Sequence, residues 1–480
     1  MKKHISFAIM AIMAASCNFL EVEHTGKSDI GTFFSEPDAL NSAVTGLYNL
    51  TYSFQDHYMI IYPEVTGDLA ELSATSKLWT SQFNYISLES EESDAVGRIW
   101  KDGHEILLNA CEITEYGPEL LKRFPARSAE IKNNMANAHF LRALATFDLA
   151  LVYGQTYTYT PDASHLATAV LRRFPNLNDR ISRSSALDTY GFILSELETA
   201  ISLWENDRIK DVNYASVPAA KALMARIYLY MGDYENAFIY SDSVIKDYGI
   251  ELSPREEYFK MFCDPSVNGK EAILRLNGYD AGTYLGNAYD AHTAYIYPSE
   301  KLKNIFSQDS SSDYPDIREL LISYDDGASY SGGNCMKYTV TTDVSERDKH
   351  YDPFILRLSE MYLIRAEANC RSGNLKDAAD DIITLQARAT GMDRAGISLA
   401  YSNAEELDAL IMRERIKELY LEGHRLFDIT RRHESLERGE TNSSVRTLSY
   451  PDDRFILPIP LVELESNKAM QSNPINSTQQ

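Results

Sequence analysis

Cysteine is scarce in this chain, with five residues in 480. Cys111, Cys263, Cys335 and Cys370 lie far apart, and none belongs to a CxxC or Cys/His pattern. That spacing argues against a disulfide framework and against a thiolate metal site. The ten histidines are equally scattered, with no HExxH pair, so neither a metal nor a cofactor is expected. Tryptophan occurs only three times. Positive charge is also short: 46 Lys and Arg face 70 Asp and Glu, giving a formal net charge of −24. Such a surface repels nucleic acid and other polyanions, and suits neutral or cationic ligands. Past the N-terminus, no apolar run approaches the roughly twenty residues that a membrane-spanning helix needs.

The N-terminus has its own pattern. Lys2 and Lys3 precede an apolar stretch from Ile5 to Ala15, about the length of a secretion signal and too short to span. Ala14, Ala15 and Ser16 lead directly to Cys17. Small residues before an early cysteine are what a lipoprotein signal peptidase requires. The expectation is a signal peptide over 1–16, a lipidated Cys17 and a tether over 17–35. The protein would then be anchored to a membrane through lipid alone.

The rest of the chain is rich enough in apolar residues, at 44%, to bury a large core. Its dominant period is helical. Phe140, Leu144, Phe147 and Leu151 form one stripe, and Leu187, Tyr190, Leu194, Leu197 and Ile201 form another. Two stretches match each other 141 residues apart: Ala225, Gly232, Tyr234 and Ala237 against Ala366, Gly373, Leu375 and Ala378. Small residues allow close helix approach, and each glycine ends one helix just before the next begins. This is the pattern of a tetratricopeptide-type hairpin. Residues 264–350 are richer in Gly, Asp, Ser, Asn and Tyr, with short apolar runs at Ala272-Ile-Leu-Arg-Leu and Tyr338-Thr-Val-Thr. They predict irregular loops with a few short strands. The fold class expected is therefore mostly α, a tetratricopeptide-like scaffold with an inserted loop-rich lobe. We expect a single domain over 36–480, with scaffold at about 36–263 and 351–473 and the lobe at about 264–350.

Residues 414–431, Glu-Arg-Ile-Lys-Glu-Leu-Tyr-Leu-Glu-Gly-His-Arg-Leu-Phe-Asp-Ile-Thr-Arg, read as a charged helix, a break at Gly423 and a second short helix. Phe455-Ile-Leu-Pro-Ile-Pro460, Glu463, Asn467 and Gln471-Ser-Asn-Pro474 follow. Earlier come Asn18-Phe-Leu-Glu-Val-Glu23, Arg98-Ile-Trp100, Ile106-Leu-Leu-Asn-Ala110 and Ala138-His-Phe-Leu-Arg-Ala143. Ala220-Lys-Ala-Leu-Met-Ala225 and the run Leu358 to Ala368 complete the set. In this order the features resemble the SusD/RagB family of cell-surface nutrient-binding lipoproteins, over essentially the whole chain. Two departures concern loops: Gln155-Thr-Tyr-Thr-Tyr-Thr intervenes before Pro161, and Ile475 stands where the family usually has glycine. The resemblance implies a helical, lipid-anchored protein exposed on the outer membrane. It also implies a SusC-like TonB-dependent transporter as partner and delivery of oligosaccharides or, in the RagB branch, peptides. A tetratricopeptide scaffold that binds only proteins is the remaining alternative. Arg413, Glu414, Glu418, Glu422, Arg425 and Asp428 read as ion pairs and caps that hold helices together.

In this family the ligand surface lies in variable loops, so contacts must be inferred locally. Tyr279, Tyr284 and Tyr289 recur every five residues among glycines, with Asp280, Asn287 and Asp290 beside them. Tyrosines supply stacking faces, glycines allow close approach, and Asp or Asn accept hydroxyl hydrogen bonds. Trp79, in the polar stretch 76–82, is expected as an exposed platform, whereas Trp100 and Trp204 are expected in the core. The six candidate contacts are thus Trp79, Tyr279, Asp280, Tyr284, Asn287 and Tyr289. No catalytic residue is expected. His24-Thr-Gly-Lys-Ser28 lacks the leading glycine of a phosphate loop, since position 21 is Glu. Ser243-Val-Ile-Lys246 falls within a repeat helix, and carboxylate pairs are common in so acidic a chain.

Overall fold

The computed structural model describes residues 30–92, 94–205, 208–264, 267–278, 284–289, 294–309, 311, 313–323, 334–338 and 352–474. Cys17, Tyr279 and Asp280 lie outside them.

The first layer is a three-helix stack. Helix α1 (Pro37–Phe54) begins with proline in its first turn and buries Leu40, Val44, Leu47 and Phe54. It runs into a π-helical turn, Gln55–Met59. Helix α2 (Ala95–Arg123) starts where the Asp94 side chain accepts from the Ala95 amide. Helix α3 (Ser128–Tyr153) is buried almost all round, from Asn134 to Ala150. The stripe read from the sequence is therefore only part of its buried surface. Helix α4 (Ala186–Leu203) is capped by Ser185, which accepts from the Asp188 amide. Its Tyr190 and Leu197 are buried, but Leu187 faces solvent at 54%.

Next come the hairpins. Helices α5 (Val217–Met231) and α6 (Tyr234–Asp247) meet at Gly232, whose φ is +73°. After them the chain enters the lobe through a strand, Ala272–Arg275. The lobe contains α7 (Tyr284–Tyr289) and α8 (Glu300–Asp309). The second hairpin, α9 (Leu358–Arg371) and α10 (Leu375–Thr390), turns at Gly373, with φ +83°. Ala225, Ala237, Ala366 and Ala378 are all fully buried. The matched small residues thus mark the close approach of two equivalent helix pairs. Helices α11 (Ala404–Leu419) and α12 (Arg425–Arg431) close the fold. The architecture is mostly α, as the periodicity predicts. No described helix is long and apolar enough to cross a membrane.

The lobe is less irregular and less separate than its composition suggests. Helix α8 was not legible as such, because Leu302 and Phe306 are its only buried residues. The predicted strand at Ala272 exists, and it pairs antiparallel with Phe354–Arg357, which leads directly into α9. Strand Ile296–Pro298 pairs with Ala70–Leu72 from the N-terminal third. Tyr338 closes a 3-10 turn, and the rest of that predicted strand lies outside the described residues.

The charged segment 414–431 fastens lobe to scaffold. Arg318 donates to Glu414 at 2.6 Å and Glu418 at 3.0 Å. Arg357 reaches Glu418 at 2.5 Å and Glu422 at 2.8 Å, while Lys337 reaches Glu422 at 2.5 Å. Arg425 pairs with Asp68 at 2.6 Å. Burial alone would raise Asp68, but Arg425 and Lys301 outweigh it and hold the carboxyl at about 2. The C-terminal Asn473 is also structural: its amide donates to the carbonyls of Tyr153 and Leu457, and its oxygen accepts from Arg183.

Candidate functional site

The candidate site forms where the lobe rests on the end of α1. The π-helical turn puts Asp56, His57 and Tyr58 in succession on the rim of the core. Such turns interrupt the regular i→i−4 pattern and often occur at functional positions. Asp56 points into the lobe and caps α7, accepting from the amides of Tyr284 at 2.9 Å and Leu285 at 3.3 Å. His57 lies against the Tyr284 ring, 4.4 Å between centroids. Tyr58 donates to Asp102 Oδ2 at 3.0 Å. Arg98, one turn earlier on α2, is exposed beside this pair. Tyr284 is 41% exposed and Asn287 is exposed. A fixed aromatic face is thus bordered by a guanidinium, a carboxylate and an imidazole. That combination suits a ligand with both apolar faces and hydroxyl groups.

The electrostatics keep this rim nearly neutral. Burial pushes Asp56 up to about 7, against the pull of the two α7 amides. Burial also lowers His57, opposed by Asp102, so its imidazole is neutral at ordinary pH. Behind the turn, Gln55 donates to Asp148 at 2.5 Å, and burial raises Asp148 to about 7. The sign follows from linkage. A folded value above the ordinary 3.8 means the folded state holds a proton that the unfolded state has lost. That contribution is complete below about pH 4 and disappears as pH rises through about 7. Asp148→Asn is therefore expected to match the wild type near pH 4 and to gain on it steadily up to pH 7. Urea unfolding of both proteins across that range checks this, and a constant gap would contradict it.

Two of the sequence candidates are corrected. Trp79 is not an exposed platform: it is 6% exposed, with φ +63°, and that left-handed turn directs the indole into the core toward Tyr295. Tyr289 is fully buried and stacks on Tyr338, 5.1 Å between centroids. Trp100 is buried as expected. Trp204 is not part of a core helix; it follows α4 in extended conformation and is half-buried. His57, Arg98 and Asp102 were missed. Their signals were present as the polar run Gln55-Asp-His-Tyr58 closing an apolar helix, and as the i,i+4 spacing of Arg98 and Asp102. A groove of about 990 Å³ lies elsewhere on α2, between Trp100, Leu108, Arg180, Val462 and Met470. Its one tryptophan is only 6% exposed, so it offers little ring face for stacking.

Comparison with known proteins gives a consistent picture. A family model described as "Starch-binding associating with outer membrane" matches residues 18–229, and one described as "SusD family" matches residues 321–475. A SusD-like protein of Formosa agariphila is 22% identical over 463 residues, covering 83% of this chain and 87% of that one. Among solved structures, a putative sugar binding protein from Bacteroides vulgatus superposes with a TM-score of 0.79 at 20% identity, covering 92% of this chain and 98% of its own. A SusD superfamily protein from Bacteroides thetaiotaomicron gives 0.78 at 22%, covering 92% and 100%. A laminarin binding SusD-like protein gives 0.69 at 18%, covering 91% and 99%. Two family models in the order of the sequence motifs, on a fold shared along nearly the full chain, establish that the chain belongs to the SusD/RagB family.

Proposed function

We propose that the protein captures oligosaccharides at the cell surface and passes them to a TonB-dependent transporter of the outer membrane. It does so as a lipoprotein held through Cys17, by binding rather than catalysis. The observation that carries this reading is the rigid, exposed Tyr284, seated on His57 and capped through Asp56. A sugar ring stacks on the phenol while its hydroxyls reach Asp102, Arg98 and Asn287. The family model's printed description and the laminarin-binding relative support a carbohydrate in this role.

Peptide capture, as in the RagB branch, is the competing reading, favoured by the charge of −24. Affinity electrophoresis and calorimetry against polysaccharides and protein digests separate the two. A glycan is expected to bind, and Tyr284→Ala to weaken it about tenfold or more, as loss of a central aromatic contact does. Binding to peptides alone would replace the proposal with the RagB-like one.

A further inference from the structure

The groove on α2 takes no part in the Tyr284 site, yet it is open and preformed. It encloses about 990 Å³, at the upper end of the roughly 300–1,000 Å³ range of binding sites. Its floor is apolar, made by Trp100, Leu108, Leu171 and Met470. Three walls surround that floor: α2, the connection through Pro175 and Arg180, and a short helix, Leu461–Ser466. The walls are tied to their neighbours. The Leu461 amide donates to the Glu89 carbonyl at 2.8 Å, and the Asn467 side-chain amide donates to the Ile181 carbonyl at 2.8 Å. Around the rim, Leu88, Phe174, Leu177 and Val462 are all exposed, Leu177 at 95%. Val462 lines the groove, as do Pro175 and Asn176 between Phe174 and Leu177. A single exposed apolar side chain is ordinary. Four of them around one apolar floor form a patch of the kind that marks a protein contact.

Charge decides what covers the patch. The charged residues that line the groove are Glu92, Glu105, Asp179 and Glu463 against Lys101 and Arg180. Their neighbours leave this balance unchanged, because Arg173 pairs with Asp179 at 2.8 Å while Asp102 stands 4.0 Å from Lys101. Arg172 is drawn to the Phe192 ring, 5.0 Å from its centroid. Glu92, Glu105 and Glu463 have no ion-pair partner among the described residues. The stretch Glu89-Ser-Glu-Glu-Ser-Asp94 leading into α2 adds three further carboxylates and no base. This acidic rim repels an anionic lipid surface, and equally a second copy of a chain that carries −24. It attracts a polypeptide that is both apolar and cationic. We propose that the groove is a docking site for a partner protein, which inserts a segment of apolar side chains flanked by Lys or Arg. The apolar side chains seat on Leu108, Leu171 and Met470, and the bases meet Glu105 and Glu463. This contact is separate from ligand capture and does not depend on the Tyr284 site.

Calorimetry on the purified chain compares three designed peptides: an amphipathic Leu/Lys peptide, its Leu/Glu counterpart, and a Ser/Lys peptide of equal charge. The Leu/Lys peptide is expected to bind at least about tenfold more tightly than either of the others. Leu177→Ser with Val462→Ser should weaken it about tenfold. Glu105→Gln with Glu463→Gln should weaken it and flatten its salt dependence. Ile239→Ser on α6 and Glu405→Gln on α11, both exposed, should leave it unchanged. Thermal unfolding establishes that every variant is folded. The Leu/Lys sequence grafted into a surface helix of a folded carrier protein should bind as well. No binding of the Leu/Lys peptide would overturn the proposal. So would equal binding of the Ser/Lys peptide, or equal losses in the Ile239 and Glu405 variants, which would show attraction to the acidic chain as a whole. Binding of the free peptide but not of the carrier would mark a site for released peptides instead of a docked protein. Sedimentation of the chain alone, and flotation with vesicles of neutral and anionic phospholipid, test the other occupants. A dimer or vesicle binding that Leu177→Ser with Val462→Ser abolishes would replace the partner protein and overturn the proposal.

Discussion

Glu418→Ala is expected to lower the free energy of unfolding by about 3–5 kcal/mol, the range for breaking a buried ion pair from one side. Glu418 is fully buried. Its carboxylate receives Arg357 at 2.5 Å, Arg388 at 2.7 Å and Arg318 at 3.0 Å, and Tyr258 at 3.2 Å. Burial would raise its pKa, but the three guanidiniums outweigh that and hold it well below the usual carboxylate range. Alanine removes the anion and leaves three buried cations to be balanced by Glu271, Glu414, Glu422 and Asp316 alone. Urea unfolding measures the loss. Lys122→Ala serves as the contrast, because Lys122 is 77% exposed and its pair with Glu119 spans 3.6 Å. Its effect should stay below about 1 kcal/mol. Equal losses in the two variants would show that the network does not hold lobe and scaffold together.

Gly423→Ala should follow at about 2–5 kcal/mol. Two effects add. Gly423 has φ +89°, a left-handed conformation that costs a residue with a side chain about 1–2 kcal/mol. An added Cβ would also sit 2.8 Å from the Met59 carbonyl oxygen and 3.1 Å from Ile60 Cα. Those are backbone atoms, so the turn itself must shift, and overpacking of this kind costs roughly 1–3 kcal/mol. Gly373→Ala isolates the first effect. Its φ is +83° and a Cβ there meets open space, so only that first cost, about 1–2 kcal/mol, is expected. The pair also tests the site. Met59 ends the turn that carries His57, so Gly423→Ala should weaken glycan binding at the proposed Tyr284 site while Gly373→Ala leaves it unchanged. If calorimetry finds the two equal in affinity and stability, the turn is not braced by Gly423.

The helical scaffold was legible because its rules are local. Paired alanines and glycines 141 residues apart foretold two hairpins, and both glycines turn left-handed where the helices end. The charges of 414–431 were also legible as ion pairs, since so many charged residues on an amphipathic helix need partners. Their partners were not, because Arg318, Lys337 and Arg357 come from distant parts of the chain. The site was hardest to read. Tyr284 and Tyr289 share a five-residue spacing that looks like one surface in a loop. In a helix, five residues turn the second side chain about 140° from the first, so one faces out and the other in. Trp79 has polar neighbours, but its backbone reverses direction and buries the ring. His57 gained its place from a π-helical turn, which has no compositional signature.

The stitching between the two ends of the chain has a consequence for biogenesis. Asp68 waits for Arg425, Glu64 for the Gly423 amide, and Arg183 for Asn473, partners 357, 359 and 290 residues further along. Contacts of such separation form late and slowly. A growing chain therefore cannot finish its first helical layer until nearly its last residue has been made. Until Asn473 has been made, Arg183 and the carbonyls of Tyr153 and Leu457 wait for the side chain that ties the tail of the chain to its first third.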